Sequence, residues 1–371
     1  MDRPPERHGG NLAAAAARLG CRADQLLDAS ASLVPFGPPP ALRAVLRSAL
    51  AGPALRAYPD RNYTALRQAL AAHHGLDPAW VLPGNGAAEL FTWAGRDAAA
   101  TGLSLLPTPG FADYSRALAS FNGAWRSLPL PLAWPDQWPQ PFPPLLEPAA
   151  AEPAEVLWIT NPHNPTGQLW SRASLAALLP RFALVIADEA FLPLLPGGEE
   201  QSLLPLLAAH PNLVVIRSLT KLFAIAGLRL GYAVGDPERL ARWAAWRDPW
   251  PVNGLAALAG AHLISDRAWQ QRVQRWLPAE APWLQAQLAA LPGLVPLPSA
   301  ANFVLLRSVA PADQPPPSLE PLRLALESRH RILLRDCRSF AGLGEGWLRL
   351  GIQDRRGNRR ILRALAEELQ G

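Results

Sequence analysis

The sequence predicts an α/β fold in which a large lobe with a mostly parallel central sheet joins a smaller α/β lobe. Three observations predict it. Apolar runs of strand length alternate with longer helical patterns, which is the rhythm of parallel strands linked by crossover helices. Within those runs apolar residues follow one another without polar alternation, as in strands covered on both faces. The chain has 371 residues, 49% of them hydrophobic, more than a single core usually organises.

Near the N-terminus, "LAAAAARLG" is too short and too weakly apolar for a signal peptide or a membrane span. A cytoplasmic protein with no membrane partner is expected. "WVLPGNGAAELF" (80–91) reads as strand, glycine turn and a helix from about Ala87, whose first N–H groups suit a phosphate. The same glycine pattern also occurs in ordinary turns. "PTPGFADY" carries Phe111, a ring suited to stacking on a ligand or to filling a core. Residues 129–153 are too rich in proline for a helix or a central strand, so they read as a surface connection.

Three strands then end in polar residues: "AEVLWITNPHNPTG" (154–167), "ALVIADEAF" (183–191) and "LVVIRSLTK" (213–221). Open α/β sheets place their ligands at such C-terminal ends, so three converging ends define one site. From about 253 onward amphipathic helical patterns appear, followed by "ANFVLLRS" and "EGWLRLGIQD" as strands of the smaller lobe. No internal repeat is visible.

Composition removes several functions. The net charge is +5, but the cations are interspersed with Asp and Glu, which argues against a nucleic-acid surface. Cys21 and Cys337 are the only thiols and lack metal-ligand spacing. They fit a reducing compartment and give no metal site.

Lysine use is the sharpest signal. Of 35 Lys and Arg residues, Lys221 is the only lysine. On a surface Arg replaces Lys freely, but only an amine can lose its proton and attack a carbonyl. Ser218 precedes it by three residues, and Arg229 follows by eight, beside Gly227 and Gly231. A hydroxyl and a cation around one amine suit a phosphorylated aldehyde, the description of pyridoxal 5′-phosphate. Asp188 would then face the pyridine nitrogen, although a carboxylate ending a buried strand also caps turns. Asn164 would donate to the phenolic oxygen, although Asn-Pro clusters are also plain turns.

Together, Lys221 framed by Ser218 and Arg229, "NPHNPTG", "ADEAF" and "GNG" resemble the fold-type I pyridoxal-phosphate enzymes, in the branch containing histidinol-phosphate aminotransferase. The resemblance implies covalent attachment of the cofactor to Lys221, Asp188 on its ring nitrogen and Asn164 on O3′. It implies a phosphate cup of Gly86, Ala87, Ser218 and Arg229, with Phe111 stacked on the ring. It also implies a homodimer in which Tyr58 reaches the partner's phosphate. The division implied is an N-terminal arm with part of the small domain (1–45), a large cofactor-binding domain (46–255) and a small C-terminal domain (256–371).

Within that branch, "RHGGNLAAAAARLG", "LLDASASLVPFGPPP" and "ILLRDCRSFAGLGEGWLRLGI" resemble the threonine-phosphate decarboxylases of cobalamin biosynthesis. Phe191 agrees, since many aminotransferases of the branch carry Tyr there. The likeness implies a small phosphorylated amino acid as substrate, with Arg349 on its carboxylate, His8 and Arg335 on its phosphate, and Ser32 nearby. Where that family has asparagines and an aromatic, "ASASLVP" has Ser32, Val34 and Ala29, and the helix after the glycine turn begins with Ala87 and Ala88. An aminotransferase acting on histidinol phosphate or an aromatic amino acid is the alternative, and a catalytically silent binding module is the third reading.

Overall fold

The structure is a computed structural model, and it describes residues 8–145, 153–309, 314 and 316–370. Two sheets organise it. The larger contains β2 (Val81–Gly84), β3 (Ser104–Thr108), β4 (Trp125–Pro129), β5 (Val156–Thr160), β6 (Leu184–Asp188), β7 (Leu213–Ser218) and β8 (Gly231–Gly235), in the order β2-β8-β7-β6-β5-β3-β4. Its neighbours pair in parallel except at β8, which runs antiparallel to both β2 and β7. The second sheet has the order β1-β11-β12-β10-β9, built from β1 (Leu27–Ala29), β9 (Leu294–Pro296), β10 (Phe303–Ser308), β11 (Ile332–Asp336) and β12 (Trp347–Gly351).

Every residue of β5, β6 and β7 is buried, as unbroken apolar runs require when helices cover both faces. Successive side chains point to opposite faces, so the runs feed two cores. Leu157, Ile159, Val185, Ala187 and Val215 enter one, while Val156, Trp158, Leu184, Ile186 and Val214 enter the other.

The helices are α1 (Leu12–Arg18), α2 (Pro40–Ala51), α3 (Thr64–His74), α4 (Ala87–Thr101), α5 (Asp113–Ala119), α6 (Arg172–Ala176), α7 (Leu219–Phe223), α8 (Pro237–Ala245), α9 (Gly254–Leu263), α10 (Arg267–Ala289), α11 (Glu320–His330) and α12 (Arg355–Gln370). Among the described residues none is long and apolar enough to cross a membrane.

The proline-rich connection lies at the surface as expected, most of its described residues exposed, and is pinned at a few points. Leu130, Gln140 and Phe142 are buried, Gln140 bridges to Trp170, and Trp134 Nε1 donates to the Pro298 carbonyl at 2.9 Å. The segment's few large side chains find apolar partners, and these hold down a backbone that prolines bar from a ladder. Residues 146–152 of that stretch lie outside the described residues.

Candidate active site

Five parallel strands of the large sheet, β2, β3, β5, β6 and β7, share one edge at their C-terminal ends. The turns after them carry Gly86 and Ala87, Phe111, Asn164, Asp188 itself, and Ser218 with Lys221. Strands β11 and β12 bring Arg335 and Arg349 against that edge. One cavity of about 170 Å³ collects all of these but Gly86, which sits just behind Ala87 and Arg229, and it is lined also by His8, Ser32, Phe191, Thr220, Arg229 and Phe340. Tyr58 does not line it. It is 78% exposed and stacks on Trp250, with centroids 4.4 Å apart.

Lys221 lies in the short helix α7, its Nζ 5.5 Å from the centre of the Phe191 ring. Burial pulls its amine down to about 8, helped by the Arg349 and Arg229 cations and opposed by Asp188. Asp188 ends β6. Its Oδ2 accepts from Tyr114 Oη at 2.7 Å and its Oδ1 from the Ala190 N–H at 2.9 Å. Burial pushes this carboxyl up to about 6, against those two bonds and the Lys221 charge. Tyr114 is itself in contact with Thr160 Oγ1 at 2.8 Å.

The glycine turn behaves as an anion cradle. Gly86 caps α4 at φ 76° with no side-chain cap bond, which leaves the first N–H groups of a fifteen-residue helix turned to the cavity. A Cβ on Gly86 would lie 2.5 Å from Arg229 Nη2, and one on Gly231 would lie 2.7 Å from the Ala87 nitrogen. Only glycine lets the guanidinium, the helix end and the strand approach so closely. Ser218 opens α7 without capping it, and the buried Thr220 Oγ1 has no partner among the described residues.

Arg349 is buried, with its guanidinium 4.8 Å from the centre of the Phe303 ring. Its Nη1 donates to Asn164 Oδ1, and its Nη2 to the Ser30 carbonyl at 3.3 Å. Burial works against its charge, and the neighbouring Arg335 adds to that effect. Arg335 is only 3% exposed, not a solvated charge, and its Nη2 donates to Ser339 Oγ at 2.6 Å. His8 meets the edge of Phe111 at 5.7 Å, and its Nε2 is 3.8 Å from Asp113 Oδ1. Ser32 lines the cavity with a buried Oγ that has no partner among the described residues, whereas Val34 and Ala29 are core residues.

Sequence reasoning passed over Tyr114, Thr220 and the Arg217–Glu189 pair. The pair spans the strand ends at 2.7 Å, almost without exposure, each member adjacent to a cavity residue. Tyr114 ends the stretch "PTPGFADY", three residues after Phe111, but nothing local ties it to Asp188, 74 positions away.

The cavity fits pyridoxal phosphate on its own features: a buried amine, a buried carboxylate opposite, and a helix end with an arginine and two hydroxyls. The chain belongs to the aminotransferase class I and II family, whose sequence profile matches residues 25–365, and pyridoxal 5′-phosphate is its cofactor. Over 98% of this chain and 97% of the other, it is 39% identical to threonine-phosphate decarboxylase of Salmonella typhimurium. It is 35% identical to histidinol-phosphate aminotransferase of Symbiobacterium thermophilum, over 90% of this chain and 88% of that one. The crystal structure of L-threonine-O-3-phosphate decarboxylase from Porphyromonas gingivalis superposes with a TM-score of 0.77 at 25% identity, covering 92% of this chain and 98% of that one.

Proposed function

We propose that this chain is a pyridoxal-phosphate-dependent decarboxylase that converts L-threonine O-3-phosphate to (R)-1-aminopropan-2-yl phosphate and CO2 in cobalamin biosynthesis. The observation that carries the reading is the presence of two buried guanidiniums, Arg335 and Arg349, in the cavity that holds Lys221. Phosphothreonine brings both a dianionic phosphate and a carboxylate, and forked guanidinium donors match each. Histidinol phosphate brings a phosphate but no carboxylate, so in that reaction the second guanidinium would serve only the oxo acid.

When bound, the cofactor supplies an electron sink for the bond that breaks at the substrate's Cα. Lys221 supplies the amine that holds it and afterwards the proton returned to Cα. Asp188, fixed by Tyr114, would face the ring nitrogen. Gly86, Ala87, Ser218 and Arg229 would hold its phosphate, Asn164 its phenolic oxygen, and Phe111 one face of the ring. Arg349 would hold the substrate carboxylate, while Arg335, His8 and Ser32 would hold the substrate phosphate and so fix the rotation about Cα.

The exposure of Tyr58, outside its own cavity, supports a homodimer in which it serves a second copy. The two free cysteines support a cytoplasmic location. Strand β1 lies in the five-stranded sheet, which supports assigning residues 1–45 to the arm and small domain, 46–255 to the large domain and 256–371 to the small domain.

The deciding experiment incubates the purified holoenzyme with phosphothreonine and no oxo acid. CO2 and aminopropanol phosphate are expected in equal amounts. Turnover only of histidinol phosphate or an aromatic amino acid, and only with 2-oxoglutarate present, would replace this reading with the aminotransferase one.

A further inference from the structure

The N-terminal segment crosses between the two sheets, and its attachments are unequal. Helix α1 packs by its small residues Ala15 and Ala16, both buried, and ends at Arg18. Arg18 Nη2 lies 2.5 Å from Glu327 Oε2 on α11, where Glu327 is 6% exposed and also paired with Arg323. Ahead of the helix, the Gly10 N–H donates to Ser30 Oγ at 3.0 Å. A Cβ on Gly9 would stand 2.3 Å from the Ser30 carbonyl oxygen, so the chain here lies in direct backbone contact. Ser30 is itself held by Asp28, through a 2.6 Å bond from its Oγ, and its carbonyl accepts from Arg349.

At the first described residue, His8 reaches across to Phe111 and Asp113 of the large-sheet side while still lining a groove with Arg18, Glu327 and Arg335 of the small-sheet side. Its side chain is 49% exposed.

We propose that Arg18 and Glu327 are positioning residues that act through His8: their ion pair anchors the segment over the cavity, and this anchor sets the enzyme's affinity for the substrate phosphate. The inference rests on the decarboxylase reading for its substrate, but not for its mechanics. An anchor ten residues from the working side chain lowers the entropy of the segment before substrate arrives, so less of the phosphate's binding energy is spent on ordering it. The Ser30 contacts then keep the tip aligned with Arg349. A purely structural ion pair would leave substrate affinity alone.

Arg18→Ala tests it in the holoenzyme, because Arg18 is at the surface end of the pair and its loss leaves the buried Arg323–Glu327 bond in place. The KM for phosphothreonine is expected to rise about five-fold, as befits a partly exposed ion pair, with kcat and the cofactor's absorbance unchanged. Arg18→Lys should recover most of the loss. Arg18→Ala combined with His8→Ala should be no worse than His8→Ala alone, because the anchor works only through that ring. Independently of any turnover, amide hydrogen exchange across residues 9–16 should quicken by roughly ten-fold in Arg18→Ala and stay unchanged elsewhere.

An unchanged KM with active enzyme, or additive losses in the double variant, would overturn the proposal while leaving the decarboxylase reading standing. If the unsubstituted enzyme releases no CO2, that reading fails by itself, and unchanged exchange at residues 9–16 then overturns the anchor as well.

Discussion

Arg335 and Arg349 stand directly opposite one another in the antiparallel pairing of β11 with β12. Directly opposed residues project from the same face of a sheet, and like charges there destabilise it. Both are buried, so water does little to screen them. The pairing is understandable as a site waiting for anions: a phosphate and a carboxylate between the two cations convert a cost into binding energy. Arg349→Ala should therefore lower kcat/KM for phosphothreonine about 100-fold or more, since it strips the partner from a buried carboxylate. Arg349→Lys should recover little, because an ammonium lacks the fork that also reaches Asn164 and Ser30. Arg335→Ala should act mainly on KM. Steady-state kinetics of the three variants check this.

Gly86 tests the phosphate cradle without touching a charge. Gly86→Ala would push a methyl to 2.5 Å from Arg229 Nη2, at a φ of 76° that suits glycine alone. The guanidinium must swing away from the α4 N-terminus. Cofactor affinity is expected to fall by roughly 10- to 100-fold, the equivalent of one charge-assisted hydrogen bond, while the melting temperature of the apoprotein changes by only a few degrees. Titration of apoprotein with pyridoxal phosphate measures the first, and calorimetry the second.

Much of this site was legible in the sequence, for identifiable reasons. Gly86, Asp188, Ser218 and Lys221 are each fixed within a few residues of a strand end, where an apolar run, a glycine turn and the demand for one reactive amine are local signals. The helix predicted from about Ala87 starts there because Gly86 allows the turn. The facing of Arg335 and Arg349 is a matter of register, which no local pattern reports. The link from Tyr114 to Asp188 spans 74 positions, and the Arg217–Glu189 pair is a tertiary contact between neighbouring strands. Helix α10 runs through Pro278 and Pro282, where local rules would end it. Val273, Leu277, Ala281, Leu284 and Leu288 bury one continuous stripe, and that packing outweighs the lost backbone bonds.

Tyr114 is the most informative of the residues that local patterns hid. Its hydroxyl lowers the Asp188 carboxyl toward its ionised form, opposing burial, and that ionised form is what holds a protonated ring nitrogen. Tyr114→Phe removes the donor and keeps the ring packed against Trp158 at 5.0 Å. A loss of kcat of about ten-fold is expected, as for one hydrogen bond to a buried charge, with KM little changed. Stopped-flow absorbance and steady-state rates would show it, and an unchanged kcat would mean that the two remaining supports of Asp188 suffice.

Lys221 and Asp188 respond to pH in opposite senses within one cavity. Covalent capture of an aldehyde needs the free amine, and the Lys221 amine is pulled down to about 8. Attachment of pyridoxal phosphate to the apoprotein should therefore quicken as pH rises through 8 and level off beyond roughly 9, whereas an ordinary lysine would continue to gain up to about 10.4. Asp188 supplies the stability counterpart. Its folded value, about 6, is raised above the 3.8 of the free side chain, so the fold favours the neutral carboxyl. That contribution is present below pH 3.8 and is lost as pH rises through 6. The loss approaches roughly 3 kcal/mol as an upper bound, before the lost acceptor in an amide replacement is set against it. Apoprotein carrying Asp188→Asn should melt a few degrees above the unsubstituted apoprotein at pH 7.5, by a margin that shrinks at pH 5 and vanishes near pH 4, while its affinity for the cofactor drops. Scanning calorimetry across that range measures the margin, and a variant less stable than the parent at pH 7.5 would show that Asp188 carries no such penalty.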